Sequence, residues 1–176
     1  MVTCRGFTLI ESVIVIVVMG IAMLTITSFL VPEISRSGDP HYQTRAAALG
    51  QSVMTQILAR KFDENSGEQG GTPRCASSDS GFQPCTSESS FGIDVGESND
   101  MPANYNDVDD FIGCWEPNGS SGCRDLNLLV GNNRYVNFRL DVSVSYTVVD
   151  QLKRVELTVS AANQTPIVLS AYRGNY

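Results

Sequence analysis

Basic residues are scarce in this sequence and histidine is almost missing. Twelve lysines and arginines stand against 19 aspartates and glutamates, and His41 is the single histidine. The net charge of −7, with no Lys/Arg cluster, argues against a nucleic-acid partner, because phosphate binding needs concentrated positive charge. His41, read as an exposed polar residue just inside a helix start, leaves no Ser-His-Asp triad. No glycine-rich loop is present to cradle a phosphate. Acidic pairs occur, but their spacing in sequence does not set two carboxylates across a scissile bond. No enzymatic activity is expected, and no cofactor. Internal repeats and long low-complexity tracts are also missing.

The closely spaced cysteine pairs of a structural zinc site are absent too. Cys75 and Cys85 are separated by nine residues, Cys114 and Cys123 by eight, and Cys4 stands apart near the N-terminus. Four cysteines in a polar, Gly/Ser-rich stretch point to two disulfides made in an oxidising compartment. Of the three connectivities, the local one, Cys75–Cys85 and Cys114–Cys123, is expected. Asp107, Asp109 and Asp110 form the densest acidic cluster. Oxygens at alternate positions suit calcium, but the glycine and closing glutamate of an EF-hand are lacking, so a solvated acidic loop is expected and no metal.

What is present is a long run without charge. From Ser12 to Val31 no residue of 20 is charged. As a helix this run is about 30 Å long, the thickness of a bilayer's hydrocarbon core. It is too long for the apolar stretch of a cleaved secretory signal. Glu11 sits at its very start, although a carboxylate within a membrane span costs roughly 2.5–3.5 kcal/mol and calls for a partner.

Beyond the run, Val31-Pro32 is expected to interrupt the first helix, since proline lacks an amide donor and disfavours helix at the preceding residue. Asp39 and Pro40 then read as the cap and first position of a second helix. Tyr42, Ala46, Leu49, Val53 and Ile57 recur at spacings of three and four, predicting an amphipathic helix to about Lys61. Val136, Phe138, Leu140, Val142, Val144, Tyr146 and Val148 alternate with polar residues, a strand with one buried face. After a polar connection around Asp150 to Arg154, Val155, Leu157 and Val159 repeat the pattern. Ile167, Leu169 and Ala171 suggest a third strand. The expected fold class is α+β: a long N-terminal helix, half membrane-spanning and half amphipathic, packed on a C-terminal antiparallel sheet, here a three-stranded meander. Between them, residues 62–133 form a long Gly/Ser/Asn/Asp-rich region that disulfides are expected to order.

The stretch Arg5-Gly6-Phe7-Thr8-Leu9-Ile10-Glu11, leading into the apolar run, resembles the processing motif of type IV prepilins and of type II secretion pseudopilins. The resemblance implies a pilin-like fold and a division into leader peptide (1–6), transmembrane and assembly helix (7–31), amphipathic helix (32–61), variable disulfide region (62–133) and β-sheet (134–176). It implies cleavage between Gly6 and Phe7 by a prepilin peptidase, N-methylation of Phe7, and loss of Cys4 with the leader. The new amine at Phe7 is as costly to bury as a carboxylate, so pairing it with Glu11 of a neighbouring subunit would neutralise both charges. Glu11 is thus expected to be an assembly residue. Expected partners are the peptidase, other pilin subunits, an inner-membrane assembly platform and, before assembly, membrane lipid. The expected location is the bacterial inner membrane with a periplasmic head, then the filament. Three stretches, GFTLIESVIVIVVMGIAMLT, DPHYQTRAAALGQSVMTQILARKFDEN and NDVDDFIG, look most like MshD-type minor pilins of the mannose-sensitive haemagglutinin (MSHA) pilus. A pseudopilin, and a membrane-anchored periplasmic binding module, are the alternatives.

Overall fold

The computed structural model describes residues 8–36, 39–67, 71–161 and 164–176, with the backbone alone over 31–36 and 39–40. The uncharged run forms α1 (Leu9–Arg36). Its hydroxyls turn back on the helix: Ser12 donates to the Leu9 carbonyl at 2.8 Å, Thr25 to Ala22 at 2.8 Å, Thr27 to Met23 at 2.8 Å and Ser28 to Thr25 at 2.9 Å. These hydroxyl donors are thus met within the helix itself, as a helix in hydrocarbon requires. Leu9–Leu30 has a mean hydropathy of 2.7 with none of it buried, and is long and apolar enough to cross a membrane.

The break expected at Val31-Pro32 does not occur, because α1 continues through it to Arg36. Proline's fixed φ is itself helical. The helix therefore carries on across the one donor that proline removes. Part of the linker expected before Asp39, residues 37–38, lies outside the described residues.

Asp39 and Pro40 open α2 (Asp39–Leu58), within a residue of the expected positions. The helix stops three residues short of Lys61. Its last turn tightens, with the Arg60 amide on the Ile57 carbonyl at 3.0 Å, and the Lys61 amide then goes to the Asn106 carbonyl at 3.0 Å. A tertiary partner ends the helix where periodicity alone would continue it.

The chain divides into two compact units, Met1–His41 and Tyr42–Tyr176. In the second, Ala46, Leu49, Val53 and Ile57 of α2 are buried in one core with Val155, Leu157 and Val159. Gly50 is a close approach of α2 to the sheet: a Cβ there would stand 2.3 Å from Leu169 Cδ1 and 3.1 Å from Val159 Cγ2.

The sheet has five strands, two more than the expected meander. They are β1 (Gly113–Glu116), β2 (Arg124–Asp125), β3 (Phe138–Val148), β4 (Leu152–Ala161) and β5 (Ile167–Gly174), in the order β2-β1-β3-β4-β5. Strands β3, β4 and β5 pair antiparallel, β1 antiparallel to β3, and β1 parallel to β2. Val136, expected at the head of β3, stands outside the strand and is exposed. The β3–β4 turn closes with the Gln151 amide on the Val148 carbonyl at 3.1 Å. Asp150 there takes φ +61°, a left-handed conformation that a short polar side chain tolerates.

The region 62–133 is far from a loop held by disulfides alone. Tyr105, Val108, Phe111, Trp115, Leu126 and Leu129 are buried in the same core. The Trp115 indole N–H donates to the Phe111 carbonyl at 3.0 Å. A short helix, α3 (Leu126–Val130), is capped by Asp125, whose carboxylate accepts the Asn127 amide at 2.8 Å. The architecture is α+β: a long apolar N-terminal helix and a C-terminal, mostly antiparallel sheet, the layout of a pilin-like fold.

Candidate functional site

The N-terminal site is simple in its geometry. Glu11 lies in the first turn of α1, exposed, with its backbone amide on the Thr8 carbonyl at 3.1 Å. It is the one acidic group at the head of an apolar helix whose other side chains over Leu9–Leu30 are also unburied. Gly6 and Phe7, the expected cleavage and methylation positions, lie outside the described residues.

The four downstream cysteines form Cys75–Cys85 and Cys114–Cys123, each with Cα atoms 4.9 Å apart. The second bond spans the six-residue turn joining β1 to β2. The first is tied to the C-terminus: Asn175 Nδ2 donates to the Cys75 carbonyl and to the Asp150 carbonyl, both at 2.9 Å.

A second cluster escapes the sequence reading. Lys153, expected in a polar connection, is the second residue of β4 and fully buried (0% exposed). The inward positions of β4 run Val159, Leu157, Val155 and then Lys153. Alternation carried two residues further back would have found it. Its ammonium lies 2.5 Å from Asp109 Oδ1 and 3.2 Å from Asp63 Oδ2, both carboxylates also buried. Three rings surround it, Phe91 at 4.5 Å, Phe62 at 4.8 Å and Tyr146 at 5.6 Å from their centroids. Burying a charge this completely requires close partners, and the carboxylates and ring faces provide them. Asp63 is itself firmly held: it accepts from the Asn65 amide at 3.1 Å, the Thr86 amide at 2.9 Å and the Thr86 hydroxyl at 3.2 Å.

The expectation of a solvated acidic loop is overturned. Asp107, Asp109 and Asp110 are all buried, in a 3-10 turn (Asp109–Phe111) and the residues leading to it. The physical reason is a self-satisfying turn. Asp107 Oδ1 accepts the Asp109 amide at 2.9 Å, and Asp110 Oδ2 accepts the amides of Asn106 at 2.9 Å and Asp107 at 3.0 Å. With these carboxylates hydrogen-bonded to the local backbone, Tyr105, Val108 and Phe111 carry the turn into the core. Arg124 closes it from the other side, donating to the Asp110 carbonyl at 2.7 Å and the Tyr105 hydroxyl at 3.0 Å, with its guanidinium 4.1 Å from the Trp115 centroid.

Burial has an electrostatic consequence. Desolvation, with Asp109 and Asp110 close by, pushes Asp107 up to about 9. Desolvation, reinforced by Glu97 and opposed by the Asp107 amide, pushes Asp110 up to about 7. Asp109 is also raised by burial, against the pull of Lys153. Asp110 Oδ1 and Glu97 Oε1 have no partner as carboxylates, and a proton on Asp110 lets the two share a hydrogen bond. Among the described residues no group of three or more His, Cys, Asp and Glu is arranged to hold a metal ion.

Comparison with known proteins bears on the N-terminal site. Residues 1–27 match the model of the prokaryotic N-terminal methylation motif. No curated protein and no solved structure matches the chain. The motif implies processing by a prepilin peptidase and assembly with other pilins, and the apolar helix that follows is consistent with membrane anchoring before assembly. Proteins built this way are structural subunits rather than enzymes. Over residues 1–27 the chain carries the prokaryotic N-terminal methylation motif, which indicates a precursor of the type IV pilin or pseudopilin type.

Proposed function

We propose that this protein is a minor pilin of an MSHA-like type IV pilus. It is cut between Gly6 and Phe7, methylated at Phe7, and incorporated through α1 into a filament that it helps to initiate or cap. One observation carries the reading: the methylation motif leads directly into an unburied apolar span, Leu9–Leu30, whose only carboxylate, Glu11, lies in the first turn of the helix. In a filament the amine of a processed subunit meets Glu11 of its neighbour, and in apolar surroundings both charges are tolerated only as a pair. A subunit out of register leaves both unpaired, so the pair sets register. Before assembly the same helix holds the protein in the inner membrane with residues 42–176 on the periplasmic side, where disulfides form. The MSHA assignment rests on the three stretches quoted above. The minor role also draws on the position of the last cysteine, Cys123, well before the C-terminal strands.

Quantitative mass spectrometry of sheared, purified filaments tests this. A methylated Phe7 N-terminus at a few copies per filament is the expected result. Abundance equal to the main subunit would make the protein a principal building block instead. Recovery with a type II secretion complex and not with pili would make it a pseudopilin. An intact Met1 start, found in the membrane only, would leave a tethered periplasmic binding module and overturn the filament reading.

A further inference from the structure

The buried lysine cluster holds an amine nitrogen and a carboxyl group in contact and out of water. Lys153 Nζ lies 2.5 Å from one carboxyl oxygen of Asp109 and 3.2 Å from one of Asp63, with Phe62, Phe91 and Tyr146 closing the space around it. Both reacting side chains sit on fixed backbone, Lys153 on β4 and Asp109 at the start of a 3-10 turn. We propose that Lys153 and Asp109 condense into an intramolecular amide bond, with Asp63 relaying the proton.

The chemistry needs no outside reagent. A proton first moves from the ammonium to the Asp109 carboxylate, giving a neutral amine beside a neutral acid. Without solvent, this neutral pair is penalised far less, relative to the charged pair, than it is in water. The raised pKa of Asp109 favours the same protonated state. The Nζ lone pair then attacks Asp109 Cγ. Asp63 Oδ2 takes one proton from the attacking nitrogen and returns it to the departing hydroxyl oxygen. The Nζ–Cγ bond forms, a Cγ–O bond breaks, one water leaves, and Asp63 ends as it began. Holding the two groups in contact replaces a bimolecular encounter, an advantage equivalent to effective molarities of about 10⁵–10⁸ M in well-oriented systems. Once the water has gone, the ring-lined pocket leaves none in place to reverse the reaction.

The hydrogen bonds also choose the partner. Asp63 accepts three, from the Asn65 amide, the Thr86 amide and the Thr86 hydroxyl, which fix it beside the lysine nitrogen as the relay. Apart from Lys153, Asp109 meets the Gly92 amide at 3.4 Å and the Asp107 carboxyl, a single long backbone contact against the two shorter ones at Asp63, so its carboxyl carbon is the more open to attack.

Mass spectrometry of the wild-type chain decides the question. The intact mass, corrected for the N-terminus that its own peptide records and for two disulfides, is expected to fall short by one water. After reduction and trypsin, residues 75–124, which hold Asp109 and contain no internal Lys or Arg, should travel joined to residues 140–154, uncut after Lys153. Fragmentation should place the link at Asp109. Full mass with normal cleavage after Lys153 would overturn the proposal, and so would a link from Lys153 to residues 62–74, which hold Asp63. In the Asp63→Asn variant the bond should be lost while the fold, followed by near-UV circular dichroism, persists. A folded Asp63→Asn protein that still forms the Lys153–Asp109 link as fast as wild type would overturn the relay.

Discussion

Lys153 is tolerated in the core only because two carboxylates meet it, so the pocket depends on that one side chain. Replacing it with methionine keeps much of the volume but removes the one nitrogen that the buried Asp63 and Asp109 share, as ammonium before the amide forms and as amide nitrogen after. The variant should lose about 3–5 kcal/mol, read from urea unfolding followed by tryptophan fluorescence. The neighbouring acids set a pH dependence whose sign follows from their direction of shift. Asp107 and Asp110 have folded pKa values above the ordinary 3.8, at about 9 and about 7, so the folded state binds more protons than the unfolded. Their stabilising contribution is complete below that ordinary value and is lost as pH rises through about 7 for Asp110 and about 9 for Asp107. Urea midpoints should therefore fall from mildly acidic to alkaline buffer, and Asp110→Asn should flatten the part of the fall near neutrality. Little of this was legible beforehand. An aspartate run reads as solvated because its charges favour water. It is buried here because the backbone amides of its own turn are positioned to meet it.

At the scale of elements, α2 and the sheet meet closely at Gly50, where a Cβ would press on the side chains of Leu169 and Val159. Gly50→Val should destabilise the head by about 1–3 kcal/mol despite removing a helix glycine, because overpacking outweighs the backbone gain. A lowered urea midpoint would measure it. Strands β3 and β4 could be read from their period of two, since each is long and one-sided. Strands β1 and β2 could not: at four and two residues they exist through pairing, β1 on β3 and β2 on β1. The helix ends show the same division. Pro32 reads as a stop but does not act as one, whereas the stop at Leu58 coincides with the Lys61 amide bonding to Asn106, a contact invisible in sequence.

For the whole molecule, the proposed function gives the two compact units separable roles. Glu11→Ala should leave unfolding of residues 42–176 unchanged while reducing the variant's recovery in sheared filaments at least tenfold, counted by peptide mass spectrometry against the wild-type chain. Equal recovery would remove the charge-pairing account of register. That the effect falls on assembly alone follows from where the residue lies, on an apolar helix outside the head core. By itself the sequence determined what local pattern and composition control: an apolar helix with a single carboxylate at its start, an amphipathic second helix, the alternating strands, and four cysteines set for local pairing. These depend on residues near one another in the chain. Tertiary structure alone decided that Lys153 faces inward between Asp63 and Asp109, and that the acidic turn enters the core. It also decided that residues 113–125 complete the sheet. Each of these joins distant parts of the chain, and a charge or a two-residue strand is stabilised only when the fold brings its partner to it.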